Sequence, residues 1–224
     1  GSLLKYDTFR GFFKVEGKAN LVEGGRYRPL TPIMFSIGWQ MSDKPVLFHF
    51  MNVMWYGLTV VLLFIVLLKM LHSSSYEPYA YFVAFVTALL FAIHPIHTEV
   101  VANVKGRDEI MTLFLSLAAL YFSLRSFDRK GNIADMAIAG VLFFLALMAK
   151  EMAVVFIPIV AISFYVFRKI DLIQFIMQMI FYALILLSAL IIVTSIGLGT
   201  KAGVIETLSV DPSLNIKIGL SEPK

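Results

Sequence analysis

Between Phe91 and Ile110 the chain reads FAIHPIHTEVVANVKGRDEI, which holds two of the four histidines together with Glu99, Lys105, Arg107, Asp108 and Glu109. Lys105 and Arg107 flank Gly106, a residue type that lets backbone approach a ligand closely. Cationic donors so placed can hold a phosphate or diphosphate through charge-assisted hydrogen bonds. An ordinary solvated loop, its cations paired with Asp108 and Glu109, is the plainer account of the same spacing. His94, His97 and Glu99 are of the right types for a divalent metal. However, Pro95 sits inside the pair and the pattern is not the helical H-E-x-x-H arrangement, so histidines that orient the loop or bond a substrate are the preferred reading. Either imidazole can also act as acid or base near neutral pH.

A second ionisable pair, Lys150-Glu151, has apolar sequence on both sides. Charges in that setting are costly unless paired or facing water, and they point to a functional site or to a tight turn between helices. His49, Asn52 and Tyr56 fall at i, i+3 and i+7, one face of a helix, and read as a polar stripe making interhelical hydrogen bonds.

These groups must be positioned by a membrane protein. Hydrophobic residues make up 59% of the chain and charged residues 15%, with mean hydropathy +0.82, against about 25% charge in soluble domains. The absence of cysteine excludes disulfides and thiolate metal sites. The opening GSLLKYDTF has neither an initiator Met nor a signal-peptide pattern and reads as the start of a fragment. The expected fold is an all-α polytopic transmembrane helical bundle with about six spans: 45-71, 79-93, 110-125, 136-149, 152-168 and 171-198. Asp108 is a plausible N-cap for the third, and the His94-Pro95 pair is expected to end the second. As one helix, the 32 residues from Met136 to Phe167 would reach about 48 Å, beyond a hydrocarbon core of about 30 Å. Two short spans meeting at Lys150-Glu151 fit better.

Residues 1-44 are expected to form an extracytoplasmic loop whose stretch Tyr27 to Met41 is amphipathic and suits the membrane surface. Residues 199-224 read as the start of a truncated extracytoplasmic segment. The connections at Lys69, Arg125 to Lys130 and Arg168-Lys169 hold six Lys/Arg, against three in those facing the other way, which makes the first set cytoplasmic. Arg28, the 94-109 connection and Lys150-Glu151 then share the opposite aqueous side.

Four ordered blocks, RYRPLTPIMF (Arg26 to Phe35), FHFMN (Phe48 to Asn52), HPIHTEVVANVKGRDEI and LMAKEMAVVFIPI (Leu147 to Ile159), resemble the TMTC-type membrane O-mannosyltransferases and their prokaryotic relatives among the GT-C glycosyltransferases. The resemblance implies an enzyme that takes a sugar from a polyprenyl-phosphate carrier and gives it to a protein or glycan hydroxyl on the lumenal or periplasmic side. It makes Arg28, His94, His97 and Glu99 parts of the pocket wall and Lys105, Arg107 and Asp108 the polar end of the same loop. Lys150 and Glu151 fall near the carrier phosphate. Such chemistry needs a carboxylate base and cations for the leaving phosphate. The family's acidic pair follows a first transmembrane helix and is expected upstream of Gly1, with Asp7 a poor substitute. Tyr56 stands where the family often has a further His. The expected partners are the lipid-linked donor, the acceptor and the bilayer, with no nucleic acid; no cofactor is certain, and a divalent metal is only weakly supported. The character of the resemblance favours a bacterial or archaeal plasma membrane over the endoplasmic reticulum. The competing class is half of a transporter or flippase for an anionic lipid or sugar, which would more often carry charge or broken helices at the midplane.

Overall fold

The computed structural model describes residues 28-41, 44-72, 77-168 and 172-210. Among them are eight α-helices and no strand: α1 (Leu30–Met41), α2 (Pro45–Leu71), α3 (Ala80–Ile93), α4 (His97–Ala102), α5 (Arg107–Asp128), α6 (Ile133–Ala149), α7 (Phe156–Phe167) and α8 (Leu172–Val210). Short 3₁₀ turns at Glu77–Tyr79, Val104–Gly106 and Glu151–Val155 lead into α3, α5 and α7. By length and composition α2, α5 with its preceding turn, and Phe175–Ile192 of α8 suffice to cross a membrane, and the other three apolar segments are shorter. The architecture is an all-α membrane bundle.

Helix α5 is its centre, packed against α2 on one side and α6 on the other. It buries Ser116, Ala118, Ala119 and Ser123, small residues that let neighbouring backbones come close where no hydrophobic force drives helices together. Around it Val66, Leu120, Leu124, Phe143, Leu147, Phe164 and Tyr182 form one core. Tyr182 and Ser123 join their hydroxyls in a short buried hydrogen bond, linking α8 to α5. At Gly140 an added Cβ would stand 2.5 Å from the Phe181 ring, so the glycine is what lets α8 lie on α6.

Helix α3 buries only Ala80, Ala84 and Ala88, a stripe at i, i+4 and i+8 that meets the bundle. Tyr81, Phe82, Phe85, Leu89, Leu90 and Ile93 point outward, an arrangement that water would penalise and lipid accepts. At the end of the bundle remote from the His94-Glu109 connection, Arg168 donates to the carbonyls of Lys69 (2.8 Å) and Met70 (3.1 Å) and to Asp128 (2.8 Å). It thereby satisfies the free carbonyls at the end of α2.

Several boundaries differ from expectation. The helix expected from 136 starts at Ile133, because the Asn132 side chain caps it by accepting from the Asp135 amide at 3.1 Å. Asp135 can lie inside the helix because Arg125 and Arg129 reach its carboxylate. Asp108 is not the N-cap of α5: the helix begins one residue earlier, at Arg107, and Asp108 sits in its first turn with Oδ1 accepting from the Glu109 amide at 2.9 Å. Helix α8 continues past 198 to Val210. The break expected at Lys150-Glu151 is present without Gly or Pro, since Lys150 is extended (φ −159°, ψ 135°) and a 3₁₀ turn follows it.

Candidate functional site

The connection from α3 to α5 is built by local chemistry. Helix α3 ends at Ile93 because Pro95 disfavours helical backbone at His94, which is extended. His94 Nδ1 then accepts from the Ile96 amide at 3.2 Å, and the Thr98 hydroxyl donates to the Pro95 carbonyl at 2.6 Å. After α4, the Asn103 side chain caps the next turn by accepting from the Lys105 amide at 3.0 Å. Gly106 is required there, but not for a ligand: a Cβ would stand 2.2 Å from the Val100 carbonyl oxygen, so its close approach is to the chain itself.

Lys105 and Arg107 do not grip one ligand from either side of that glycine. The Arg107 side chain turns into the bundle and is 1% exposed. Its Nε donates to Asn52 Oδ1 at 3.0 Å and one terminal nitrogen donates to the Phe48 carbonyl at 2.9 Å. The guanidinium lies 5.0 Å from the Phe35 ring centroid and 5.5 Å from that of Phe48, a cation–π setting. Asn52 also donates to the carbonyls of Asn103 (2.9 Å) and Val101 (3.3 Å). Arg107 and Asn52 together therefore tie α2 to the connection. The polar stripe on α2 is used as its spacing suggested, with the Tyr56 hydroxyl in reach of the carbonyls of Phe91 (3.0 Å) and Ala92 (3.1 Å).

The remaining charges converge. Arg28 reaches Glu151 through two nitrogens, at 2.9 and 2.7 Å, and Asp108 at 3.2 Å. The Glu151 hydrogen bond raises the Arg28 pKa above its ordinary value, against partial burial, which lowers it. Lys150 pairs with Glu109 at 2.5 Å. Arg28, Asp108, Glu109 and Lys150 line a polar cleft of about 350 Å³ together with Glu99 and Lys105. Among the described residues neither the Lys105 ammonium nor the Glu99 carboxylate has an ion-pair partner.

An apolar groove of about 550 Å³ adjoins the cleft, lined by Tyr56, Phe91, His97, Ile110, Leu113, Met152, Val155 and Phe156 among others. Val100, Glu109 and Lys150 belong to both cavities. His97 packs on Phe91 at 4.3 Å between centroids. Burial first, and the neighbouring His94 second, hold its pKa below the ordinary histidine value, so the imidazole is neutral at pH 7. A further cavity of about 390 Å³, with His49, His94 and Thr98 in its wall, lies across Tyr56 and His97 from the groove.

Of the residues singled out by sequence, Arg28, Glu99, Lys105, Asp108 and Lys150 line the polar cleft, and Glu151 joins them through Arg28. His97 lines the groove, whereas His94 is exposed beside it and Arg107 faces the core. Among the described residues no group of three or more His, Asp or Glu could hold a metal ion. Asp7 lies outside the described residues. Sequence reasoning gave no site role to Glu109 or Phe91 and read Tyr56 as part of the polar stripe, not as groove wall. Glu109 was visible as an acid in the first turn of a helix, but its partner lies 41 positions away.

Similarity to named proteins is confined to part of the chain. It is 33% identical to protein O-mannosyl-transferase TMTC1 of Homo sapiens over 130 residues, which cover 58% of this chain and 14% of that protein. Identity to TMTC3 of Homo sapiens, also a protein O-mannosyl-transferase, is 32% over 136 residues (59% and 14%). For protein O-mannosyl-transferase F38B6.6 of Caenorhabditis elegans it is 29% over 145 residues (64% and 20%). The chain thus spans a small part of the length of the curated relatives it matches. These are animal proteins and lend no support to a bacterial or archaeal membrane over the endoplasmic reticulum. No family profile matches the chain, and no solved structure matches it.

Proposed function

We propose that this chain supplies part of the donor site of a membrane glycosyltransferase that moves a mannose-like sugar from a polyprenyl-phosphate carrier to a hydroxyl of a protein or glycan, on the extracytoplasmic side. The observation that carries this reading is the pair of adjoining cavities, one polar with Arg28, Lys105 and Lys150 and one apolar, which share a wall at Val100, Glu109 and Lys150. A lipid phosphate has this two-part chemistry, a charged head and an isoprenoid tail. The similarity to proteins named O-mannosyl-transferases supports the sugar and the reaction class.

In the reaction the acceptor oxygen attacks the anomeric carbon and the bond from that carbon to the phosphate oxygen breaks, its electron pair staying with the phosphate. Negative charge grows on that oxygen, and a positioned cation stabilises the transition state more than the ground state. Lys105 is available for this role without breaking an ion pair. Lys150 stands where head and tail meet, and Arg28 is held in place by its two carboxylates. His97, neutral and stacked on Phe91, shapes the groove wall.

The test is sugar transfer by the complete parent protein from labelled polyprenyl-phosphate mannose to an acceptor peptide. Lys150→Ala is expected to lower turnover by about 100-fold, the scale of losing one preorganised charge-stabilising donor. Full activity in that variant would remove Lys150 from the site.

A further inference from the structure

We propose that Glu109 sets the release of the spent carrier by competing with its phosphate for the Lys150 ammonium. The inference rests on the donor-site reading above and gives a role to a wall residue to which that reading assigns none.

The cleft's cations are held unequally. Arg28 is clamped by two carboxylates, and Asp108 is only 8% exposed, so removing Arg28 would strand a buried charge. Among the described residues Lys150, itself 18% exposed, has one ion-pair partner, Glu109, whose side chain is 50% exposed. A single ion pair whose carboxylate is half open to water has limited net strength, so Lys150 is the paired cation that an incoming phosphate can take. The pair stands on the shared wall of the two cavities, where the junction of a lipid tail and its phosphate would lie.

The charge of the ligand changes during the reaction. The sugar-bearing carrier is a phosphodiester with one negative charge. The spent carrier is a monoester, and with a second pKa near 6 it carries about 1.5 to 2 negative charges at pH 7. No oxidant or reductant is involved, since the electron pair of the broken bond remains on phosphate and the acceptor proton leaves through a base to solvent. A site made only of cations would hold its product more tightly than its substrate. Glu109, within reach of Lys150, opposes this by offering the ammonium another partner as the phosphate leaves.

The experiment titrates the full-length protein in nanodiscs with polyprenyl monophosphate, with polyprenol and inorganic phosphate as controls for tail and head alone. Glu109→Gln is expected to bind the lipid phosphate about two- to five-fold more tightly, the range set by an exposed ion pair, with slower dissociation. Glu109→Asp, which keeps the charge, is expected to stay near wild type and guards against a folding artefact. In the Lys150→Gln background the Glu109→Gln gain should vanish. Wild type that binds the lipid phosphate while Glu109→Gln binds it equally or more weakly overturns the proposal and leaves the donor site standing. Wild type that binds the phosphate no better than polyprenol overturns both.

Discussion

Asn52→Leu isolates the tie between α2 and the charged connection. Asn52 is fully buried, so nothing in water replaces what its amide does. The substitution removes the acceptor of Arg107 Nε, a hydrogen bond to a charged group valued at about 1.5–3 kcal/mol, and the donor to the Asn103 carbonyl, valued at about 1 kcal/mol. It also removes the longer contact to the Val101 carbonyl at 3.3 Å, valued at about 0.5–1 kcal/mol. The leucine returns about 1 kcal/mol through apolar burial, leaving a net loss of about 2–4 kcal/mol. For a domain of this size that is a fall of about 5–15 °C in unfolding midpoint, measurable in detergent by intrinsic fluorescence. Because the chain has no cysteine, a single cysteine at position 105 reports on the connection itself and should label faster when Asn52 is changed. A midpoint within about 2 °C of the parent together with unchanged labelling would refute the assignment of Asn52 as the tie.

Acidification should act through His97. Its pKa is held below the ordinary value of 6.5, so as pH falls through that value the unfolded chain takes up a proton before the folded one. The linkage therefore makes stability fall below about pH 6.5 and level off beneath the folded pKa; midpoints recorded from pH 7.5 to 5 should show a drop that is smaller in His97→Gln, and parallel profiles would count against it. Gly106→Ala drives a Cβ against the Val100 backbone carbonyl, which cannot yield as a flexible side chain would. It should destabilise by about 1–3 kcal/mol, the usual scale of overpacking, and should weaken lipid-phosphate binding because Lys105 moves with it; a midpoint equal to the parent would show that the loop relaxes freely.

The apolar segments were legible because 15% charge leaves long uninterrupted runs, and the lengths of those runs against a bilayer settled the fold class. Boundaries were less so where a charge lay inside a helix. The expected span began at 136, just after Asp135, yet Asp135 lies buried inside α6 and is reached by Arg125 and Arg129. The cluster of Arg28, Asp108, Lys150 and Glu151 could be anticipated as one-sided, but not its pairing, since Arg28 and Glu151 are 123 positions apart and no local pattern encodes the contact. Arg107 shows the opposite failure. Its neighbours Lys105 and Asp108 face the cleft while it faces the core, because the 3₁₀ turn at Val104–Gly106 and the start of α5 set the directions in which successive side chains leave the backbone.

The Arg28 clamp also dictates an order of assembly. At a synthesis rate of about 5–20 residues per second, Glu151 leaves the ribosome roughly 6–25 s after Arg28, and Asp108, 80 positions behind Arg28, arrives well before it. For that interval the arginine has one of its two carboxylates, and the polar cleft lacks both Lys150 and the clasp beneath it. The polar cleft is thus completed only after α6 has been threaded and the chain has turned at Lys150, so an incompletely inserted bundle presents no finished cleft to lipids in the membrane where it is made.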